Sequence, residues 1–557
     1  MAEAVAPLRI RAFRALWTAS VFSNLGSFLQ SVAAAWLMLE LTGSGTWVGL
    51  MVASNMLPLL FLALVAGAVA DLVDRSKVLL ASQAVMGVAA AAMALVSWAD
   101  LATPELLLAL GLLLGVGVAF NLPAWQAMVP DLVPRGMVAS AVALNSVAFN
   151  VARAVGPALG GVLVATLGPE AGFGLNAVSY LGVIGVVAVV GRQLHSRDRE
   201  ETSVSSAIAL GVRFARYTRP FRRLLGVAAL FALTSAAGQA VLPNRTGELG
   251  GGALAYGLLL GAMGAGALVG ALTRAPLTRR LGSRSVPATI TLFGLAGVGL
   301  GLAPSLVAAV PALVVAGMCW VWTLATLNAT AQLMAPAWVR GRAMSLYTLA
   351  FVGIFPLGSI LAGVLADLLS PGRSITVLSL ASAGVGVWLV REGLPVLDEV
   401  AVPEFSEDRI PPEHDETAEG GPVMILNTWV IDEADFDRFL EVMSEVRLVR
   451  LRTGAYRWRL YRNAGDPRRL TEAFLVPSWE EHLRQHRRID DASAELIRRA
   501  RAFDRAGGPL GRHLVAIDVT DPAEWPNWNE LVADHRRMHA SDGSVPLEES
   551  EPAPHRQ

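Results

Sequence analysis

The sequence predicts an all-α polytopic membrane protein of twelve transmembrane helices in two six-helix halves, followed by a small α+β soluble domain. Three observations predict it. Charge almost vanishes from the first 391 residues and then returns; the uncharged runs are one or two helices long; and arginines gather on alternate connections.

No Asp, Glu, Lys or Arg lies between Arg14 and Glu40, nor in 41–70, 78–99, 106–130, 171–191, 224–244, 249–273, 343–366 or 374–390. Residues 136–169 carry only Arg153, and 285–339 are uncharged throughout. About 20 apolar residues cross a bilayer core as a helix. The first set of runs gives one span each, 136–169 another, and 285–339 two with a hinge near Pro304-Ser305, which makes twelve. A hydrophobic fraction of 54% with only 16% charged residues fits this reading. The net charge of −1 averages two unlike regions and excludes nothing. The single cysteine, Cys319, falls in a predicted span, so it forms no intramolecular disulfide and reads as a small buried apolar residue. Met1–Arg14 lacks the small-residue cleavage site of a signal peptide, so the first apolar run reads as a retained helix.

Cytoplasmic connections retain positive charge. One alternate set holds 21 basic residues, among them Arg9, Arg11, Arg14, Arg75, Lys77, Arg135, Arg274, Arg279, Arg280, Arg284, Arg340, Arg342 and Arg391, and the other holds only Arg245 and Arg373. Both ends of the membrane region are therefore expected on the cytoplasmic side of an inner (plasma) membrane.

The longest polar segment inside the membrane region, Arg192–Arg223, follows the sixth span. An internal echo matches this division. Gln126, Pro130 and Val133 recur as Gln332, Pro336 and Val339, and Gly161-Val162-Leu163 recurs as Gly363-Val364-Leu365. The expected organisation is a bundle over 1–191, a cytoplasmic linker over 192–223, a second bundle over 224–391, a flexible linker over 392–422, a soluble domain over 423–520 and a disordered tail over 521–557. Two related six-helix halves are the parallel-repeat plan of a rocking transporter that holds substrate between them near mid-membrane.

Gly67–Leu80 reads GAVADLVDRSKVLL and resembles the signature between the second and third helices of the major facilitator superfamily. The matching positions are Gly67, Asp71, Arg75 and Lys77, which the resemblance implies as a conformational latch. Glycine permits close helix contact, and an Asp beside an Arg can make charge-assisted hydrogen bonds; ordinary charges on a turn are the alternative. The second-half copy, Gly266–Gly282 with Arg274, Arg279 and Arg280, lacks the Asp. The stretches LTGSGTWVGL (Leu41–Leu50) and Pro123–Gly161 are similar to the subgroup of transmembrane secretion effectors, which includes bacterial exporters of the enterobactin type. The resemblance implies a secondary efflux carrier for a small molecule such as a drug or siderophore-like metabolite.

Polar side chains within spans are costly and face a cavity or another helix. Asn24, Gln30, Asn55, Asn121, Asn145, Asn150, Arg153, Gln239 and Asn328 are the candidates for a substrate cavity. Arg153 is the one formal charge deep in a predicted span and shares a helix face with Asn150. An anionic substrate group, or a carboxylate partner, would account for it; a structural Arg bonded to carbonyls, or one snorkelling to the cytoplasmic side, is the alternative. Gly156, Pro157, Gly160 and Gly161 resemble the fifth-helix motif of antiporters in this superfamily, or equally form a packing seam. No acid lies deep in a span, so protons are a coupling ion by family likeness alone, without a carrier residue. No P-loop pattern is present, which argues against ATP-driven pumping.

Past Arg391, a proline-containing acidic linker precedes VMILNTWVI (423–431), a helix over 433–452, strands at 456–463 and 468–477, a helix capped by Ser478, and a strand at 512–519. That β-α-β-β-α-β order is ferredoxin-like. With SWEEHLRQHRR (Ser478–Arg488) the module is similar to dimeric α/β-barrel proteins that include antibiotic-biosynthesis monooxygenases, which implies a route to dimerisation. His482 and His486 are spaced i, i+4, but no third ligand accompanies them, so no metal or cofactor is expected and they read as surface or dimer-contact residues. Abundant acids argue against nucleic acid as a partner. A catalytic module that feeds the carrier, and a membrane sensor that transports nothing, are the alternative readings; the first needs turnover that no catalytic constellation in the sequence announces.

Overall fold

The computed structural model describes residues 5–128, 132–190, 204–336, 338–392, 422–506 and 510–516. The expected flexible linker, apart from Glu392 and Pro422, and the whole of the expected tail lie outside the described residues.

The first half is built from α1 (Arg11–Thr42), α2 (Gly45–Ser54), α3 (Leu57–Leu72), α4 (Arg75–Trp98), α5 (Pro104–Met128), α6 (Val138–Leu167) and α7 (Pro169–Val190). The connecting helix α8 (Val204–Tyr217) leads into α9 (Arg219–Ser235), and the short α10 (Ala237–Ala240) and α11 (Leu242–Glu248) follow it in the chain. Then come α12 (Ala253–Leu281), α13 (Ser285–Gly301), α14 (Leu306–Met334) and α15 (Arg340–Thr348). A π-helical turn at Leu349–Gly353 precedes α16 (Phe355–Leu368) and α17 (Pro371–Glu392).

Local chemistry sets the helix ends. Pro104, Pro169 and Pro371 open helices, where the missing N–H costs nothing. Ser44, Asp74 and Ser305 cap α2, α4 and α14, accepting from the N–H of Trp47, Ser76 and Ala308 at 3.4, 2.8 and 3.3 Å. The expected hinge in the long uncharged run falls between α13 and α14, with Ser305 as the cap.

Eleven helical stretches among the described residues are long and apolar enough to cross a membrane. One of them, Ala253–Gly301, runs for 49 residues and is divided at Gly282, which takes a left-handed φ of 52°.

The chain forms two compact units. In the first, which holds the membrane helices, α1 packs on α6 and α7, and α4 on α5 and α7; α13 packs on α14 and α17. The halves meet where α6 crosses α12 and α2 crosses α16. One end carries a layer of polar contacts. Arg245 Nη2 donates to Ala303 O at 2.6 Å and its Nη1 to Glu248 at 2.7 Å, while Gly372 N donates to the same carboxylate at 3.1 Å. Asp367 accepts from Ser44 and Gly45 in this layer. This distal end lies away from Arg11 and Glu392, where the membrane region begins and finishes. One of the two arginines on the sparsely charged side, Arg245, is thus buried and fully engaged.

The second unit comprises Ile208–Arg219, Pro336–Arg340 and residues from 401 onward. Its sheet contains β1 (Val423–Val430), β2 (Arg457–Arg462), β3 (Arg469–Val476) and β4 (Leu510–Val515) in the order β2-β3-β1-β4, antiparallel throughout. The helices α18 (Phe436–Thr453), α19 (Trp479–Arg487) and α20 (Asp491–Arg501) complete it. Trp429, Phe439, Met443, Val446 and Leu470 form one core cluster, and Val423, Ile425, Phe474, Val476 and Trp479 another. Ser478 caps α19 through Glu481 N at 3.1 Å, as its spacing suggests, but the Glu481 carboxylate bonds Arg488 rather than returning to the cap. α20, capped by Asp490, is an element the sequence pattern does not single out.

Candidate functional site at the crossing of the two halves

Three membrane stretches are interrupted part-way along their length. α2 and α3 break at Asn55-Met56, α9 to α11 break on both sides of α10, and the π-turn separates α15 from α16. These breaks are neighbours: α10 packs against α2 and α16, and the π-turn against α3. At Gly353 in the π-turn an added Cβ would meet Leu60 of α3 at 2.8 Å. Discontinuous helices between repeats are where carriers place their binding groups, because backbone that leaves the helical ladder must line protein or a cavity. π-turns also concentrate at functional sites.

An aromatic cluster stands beside the breaks. Trp320 of α14 lies within 5.7–6.1 Å, centroid to centroid, of Phe231, Phe293, Phe351 and Phe355. Arg153, from the first half, places its guanidinium 5.5 Å from the Trp320 ring centroid. A cation over an indole face is worth about 2 kcal/mol when desolvated. Asn55 Oδ1, Gln239 Nε2 and Trp320 Nε1 are buried without a hydrogen-bond partner among the described residues. Buried polar atoms in that condition cost roughly 1–3 kcal/mol each, a cost a polar ligand would relieve.

Of the residues expected to line the cavity, Asn55 lies at the break between α2 and α3, Gln239 lies in α10, and Arg153 lies against Trp320. Others are engaged elsewhere. Gln30 accepts from Asn176 Nδ2 at 2.6 Å, and Asn176 also reaches the Tyr180 hydroxyl at 3.2 Å, so this polar set ties α1 to α7. Asn121 accepts from Gln83 at 3.0 Å and joins α4 to α5. Asn150 bonds Ser146 O of its own helix at 2.8 Å, and Asn328 pairs with Gln332 at 2.7 Å on an exposed surface. Asn24 and Asn145 lie half-buried on α1 and α6. Sequence reasoning does not single out Trp320; its only signal there is an aromatic residue within an uncharged run.

The Gly156–Gly161 motif sits on helix crossings. A Cβ at Gly156 would meet Phe28 at 2.6 Å, one at Gly160 would meet Val32 at 3.1 Å, and one at Gly161 would meet Gly257 Cα of α12 at 2.7 Å. The repeated glycine, Gly363, occupies the other crossing against the Gly45 backbone. At the opposite end, an added Cβ at Gly67 would meet nothing within 4 Å among the described residues. Lys77 is exposed, Arg75 is half-buried, and Asp74 rather than a motif residue caps α4. The Asp71 side chain lies outside the described residues.

In the soluble module, Glu472 is fully buried and receives Arg450 Nε at 3.2 Å, Trp458 Nε1 at 2.9 Å and Asn427 Nδ2 at 2.8 Å. Three donors thus satisfy this buried carboxylate inside the module. His482 Nε2 lies 3.0 Å from His513 Nε2 and 3.3 Å from His486 Nε2. The sequence pattern misses His513 because only strand pairing brings it there. Among the described residues no three ligating side chains are arranged to hold a metal ion. Arg213 of α8 donates to Gly454 O at 3.0 Å, and burial pushes its guanidinium below the ordinary arginine value. Phe214 meets Trp338 edge-on, and the Arg488 guanidinium lies 5.0 Å from the centroid of that indole. Arg457, Arg459 and Tyr461 line a groove of about 470 Å³.

Residues 2–520 match the family model described as transmembrane secretion effector. The chain belongs to that family. The multidrug efflux pump Tap of Mycobacterium tuberculosis is 30% identical over 409 residues, which are 70% of this chain and 95% of the pump. The enterobactin exporter EntS of Citrobacter koseri is 28% identical over 68% of this chain and 91% of its own length. The staphyloferrin A transporter of Staphylococcus aureus is 21% identical, covering 66% and 92%. Among solved structures, the nucleoside transporter NupG superposes with a TM-score of 0.53 at 12% identity, over 68% of this chain and 98% of that one. A bacterial homologue of the human lysosomal transporter Spinster, inward-facing and unoccupied, gives 0.53 at 16% identity, over 69% and 95%. The membrane region therefore shares the fold of these transporters.

Proposed function

We propose that this protein is a secondary carrier that exports small molecules across the cytoplasmic membrane by alternating access between two six-helix halves. Dividing the 49-residue stretch at Gly282 gives two spans and twelve in all, since at 1.5 Å per residue one helix of that length would be about 73 Å, more than twice a bilayer core. The arginine-rich connections are cytoplasmic and the distal end faces outward. Family membership and the names of the relatives, a multidrug pump and siderophore transporters, support export.

The observation that carries the substrate reading is Arg153 over Trp320, a charge from one half seated on an aromatic cluster of the other. That pairing suits a molecule with an anionic group and a flat apolar body. In this reading the module, whose strand order is β2-β3-β1-β4, is an accessory unit and a route to dimerisation. Protons are the coupling ion proposed by family likeness. An untargeted comparison of metabolites inside and outside cells, with the protein present, absent or truncated at residue 400, tests the reading. A compound that accumulates inside only when the protein is absent identifies the cargo; unchanged profiles would overturn export.

A further inference from the structure

Each crossing between the halves is a backbone-on-backbone contact, and the crossing of α2 with α16 adds a carboxylate bonded across the gap. Asp367, at the distal end of α16, accepts from Ser44 Oγ at 2.7 Å, Gly45 N at 2.6 Å and Thr46 N at 3.0 Å. The acceptor is in the second half, and all three donors open α2 in the first. The N–H groups of a helix's first turn have no partner within the helix, and its dipole favours a negative charge there. Ser44 caps α2 only at 3.4 Å, so the shorter bonds at this helix start come from Asp367, across the gap between the halves. The backbones beneath are already in contact: a Cβ at Gly45 would meet Gly363 O at 2.8 Å, and one at Gly49 would meet Ser359 O at 2.5 Å.

The repeat supplies an internal control. Gly161 and Gly363 correspond, so Asp367 corresponds to Ala165; Ser44, the N-cap of α2, is matched in role by Gly252, which opens α12 without any side-chain cap. The two crossings share small residues and close backbone contact but not this carboxylate. Glycine packing alone therefore suffices to bring the halves together, and the Asp367 bonds add something specific to one of them.

We propose that Asp367 is an outward latch: by capping α2 from the opposite half, it biases the carrier toward the state closed at its distal end, and its three bonds break each time that end opens. The proposal rests on the alternating-access reading, for which Asp367 is a positioning residue that touches no substrate.

The test measures conformation apart from transport. Spin labels at Leu101 and Leu302, which are 67% and 68% exposed in distal turns of the first and second half, report the distance across that end in full-length protein, with the buried Cys319 changed to Ser. Losing a helix cap worth about 1 kcal/mol raises the open population about fivefold. Asp367→Ala is expected to do so, Asp367→Asn to do so less because an amide oxygen still accepts, and Ser44→Ala least. Distance distributions identical to the unsubstituted protein for Asp367→Ala, at matched folding and abundance, would overturn the latch. If the unsubstituted carrier exports its cargo while Asp367→Ala leaves the distances unchanged, the latch fails and the transport reading stands; if no cargo is exported by any form, the transport reading fails by itself.

Discussion

The crossing of α6 with α12 and the crossing of α2 with α16 are built from corresponding repeats, yet they close differently. In the first, Gly161 and Gly257 bring backbones together, and Gly264 lies where a Cβ would meet Ala154 Cα at 2.6 Å; the position matching Asp367 is the apolar Ala165. In the second, Gly45, Gly49 and Gly363 make the same close approach, and Asp367 adds hydrogen bonds from side chain to helix start. Close packing in a membrane comes from dispersion and small residues rather than from hydrophobic exclusion. The shared glycines bring the backbones close at both crossings, while the unshared carboxylate favours the state closed at the distal end.

The largest effect is expected where both crossings rely on glycine. Gly257→Leu puts a side chain where the Gly161 backbone already stands, and forced overpacking costs about 1–3 kcal/mol. Efflux is expected to fall to background at normal membrane abundance, with Gly257→Ala intermediate; full activity of the leucine variant would show that the contact does not form during the cycle. Next in size is the site between the crossings. Arg153→Ala is expected to lower efflux roughly tenfold, equivalent to about 1.4 kcal/mol, whereas Arg284→Ala, on an exposed turn, leaves it near normal. Arg153→Lys separates charge from guanidinium geometry. Equal efflux by both alanine variants would remove Arg153 from the site. The smallest effect sharpens the asymmetry: Ala165→Asp places an acid at the corresponding position of the other crossing, near the uncapped start of α12. A shift of about twofold toward the distal-closed state is expected from one added helix-end charge, read as a shorter Leu101–Leu302 label distance, and no shift would show that local geometry matters beyond the charge.

Much of this architecture was legible in the sequence because membrane spans are written in charge. Uncharged runs located the helices, and the Gly161/Gly363 echo located both crossings, although not that they were crossings. What stayed hidden depended on three-dimensional partners. Pro58 and Pro243 stand just past two of the mid-helix breaks, but a proline within an apolar run does not tell a break from a kink, and Trp320 is one indole among fourteen until Arg153 reaches it from the other half. Asp367 looked like a terminal charge just past an apolar run, because its donors lie more than 300 residues away. Gln30 and Asn121 looked like cavity residues, since a buried amide in a span is equally a mark of helix-to-helix bonding. In the soluble module, alternation found the strands, while the contact of His513 with His482 came only from pairing β4 beside β1.

The most direct test of the central claim is sided thiol labelling at the break between α2 and α3. With Asn55→Cys in a Cys319→Ser background, a membrane-impermeant reagent is applied to right-side-out and everted vesicles. A carrier closed at its distal end predicts faster labelling from the face that carries the arginine-rich connections, with labelling from the other face gained in Asp367→Ala. Labelling at equal or greater speed from the opposite face, or from neither, would contradict the account.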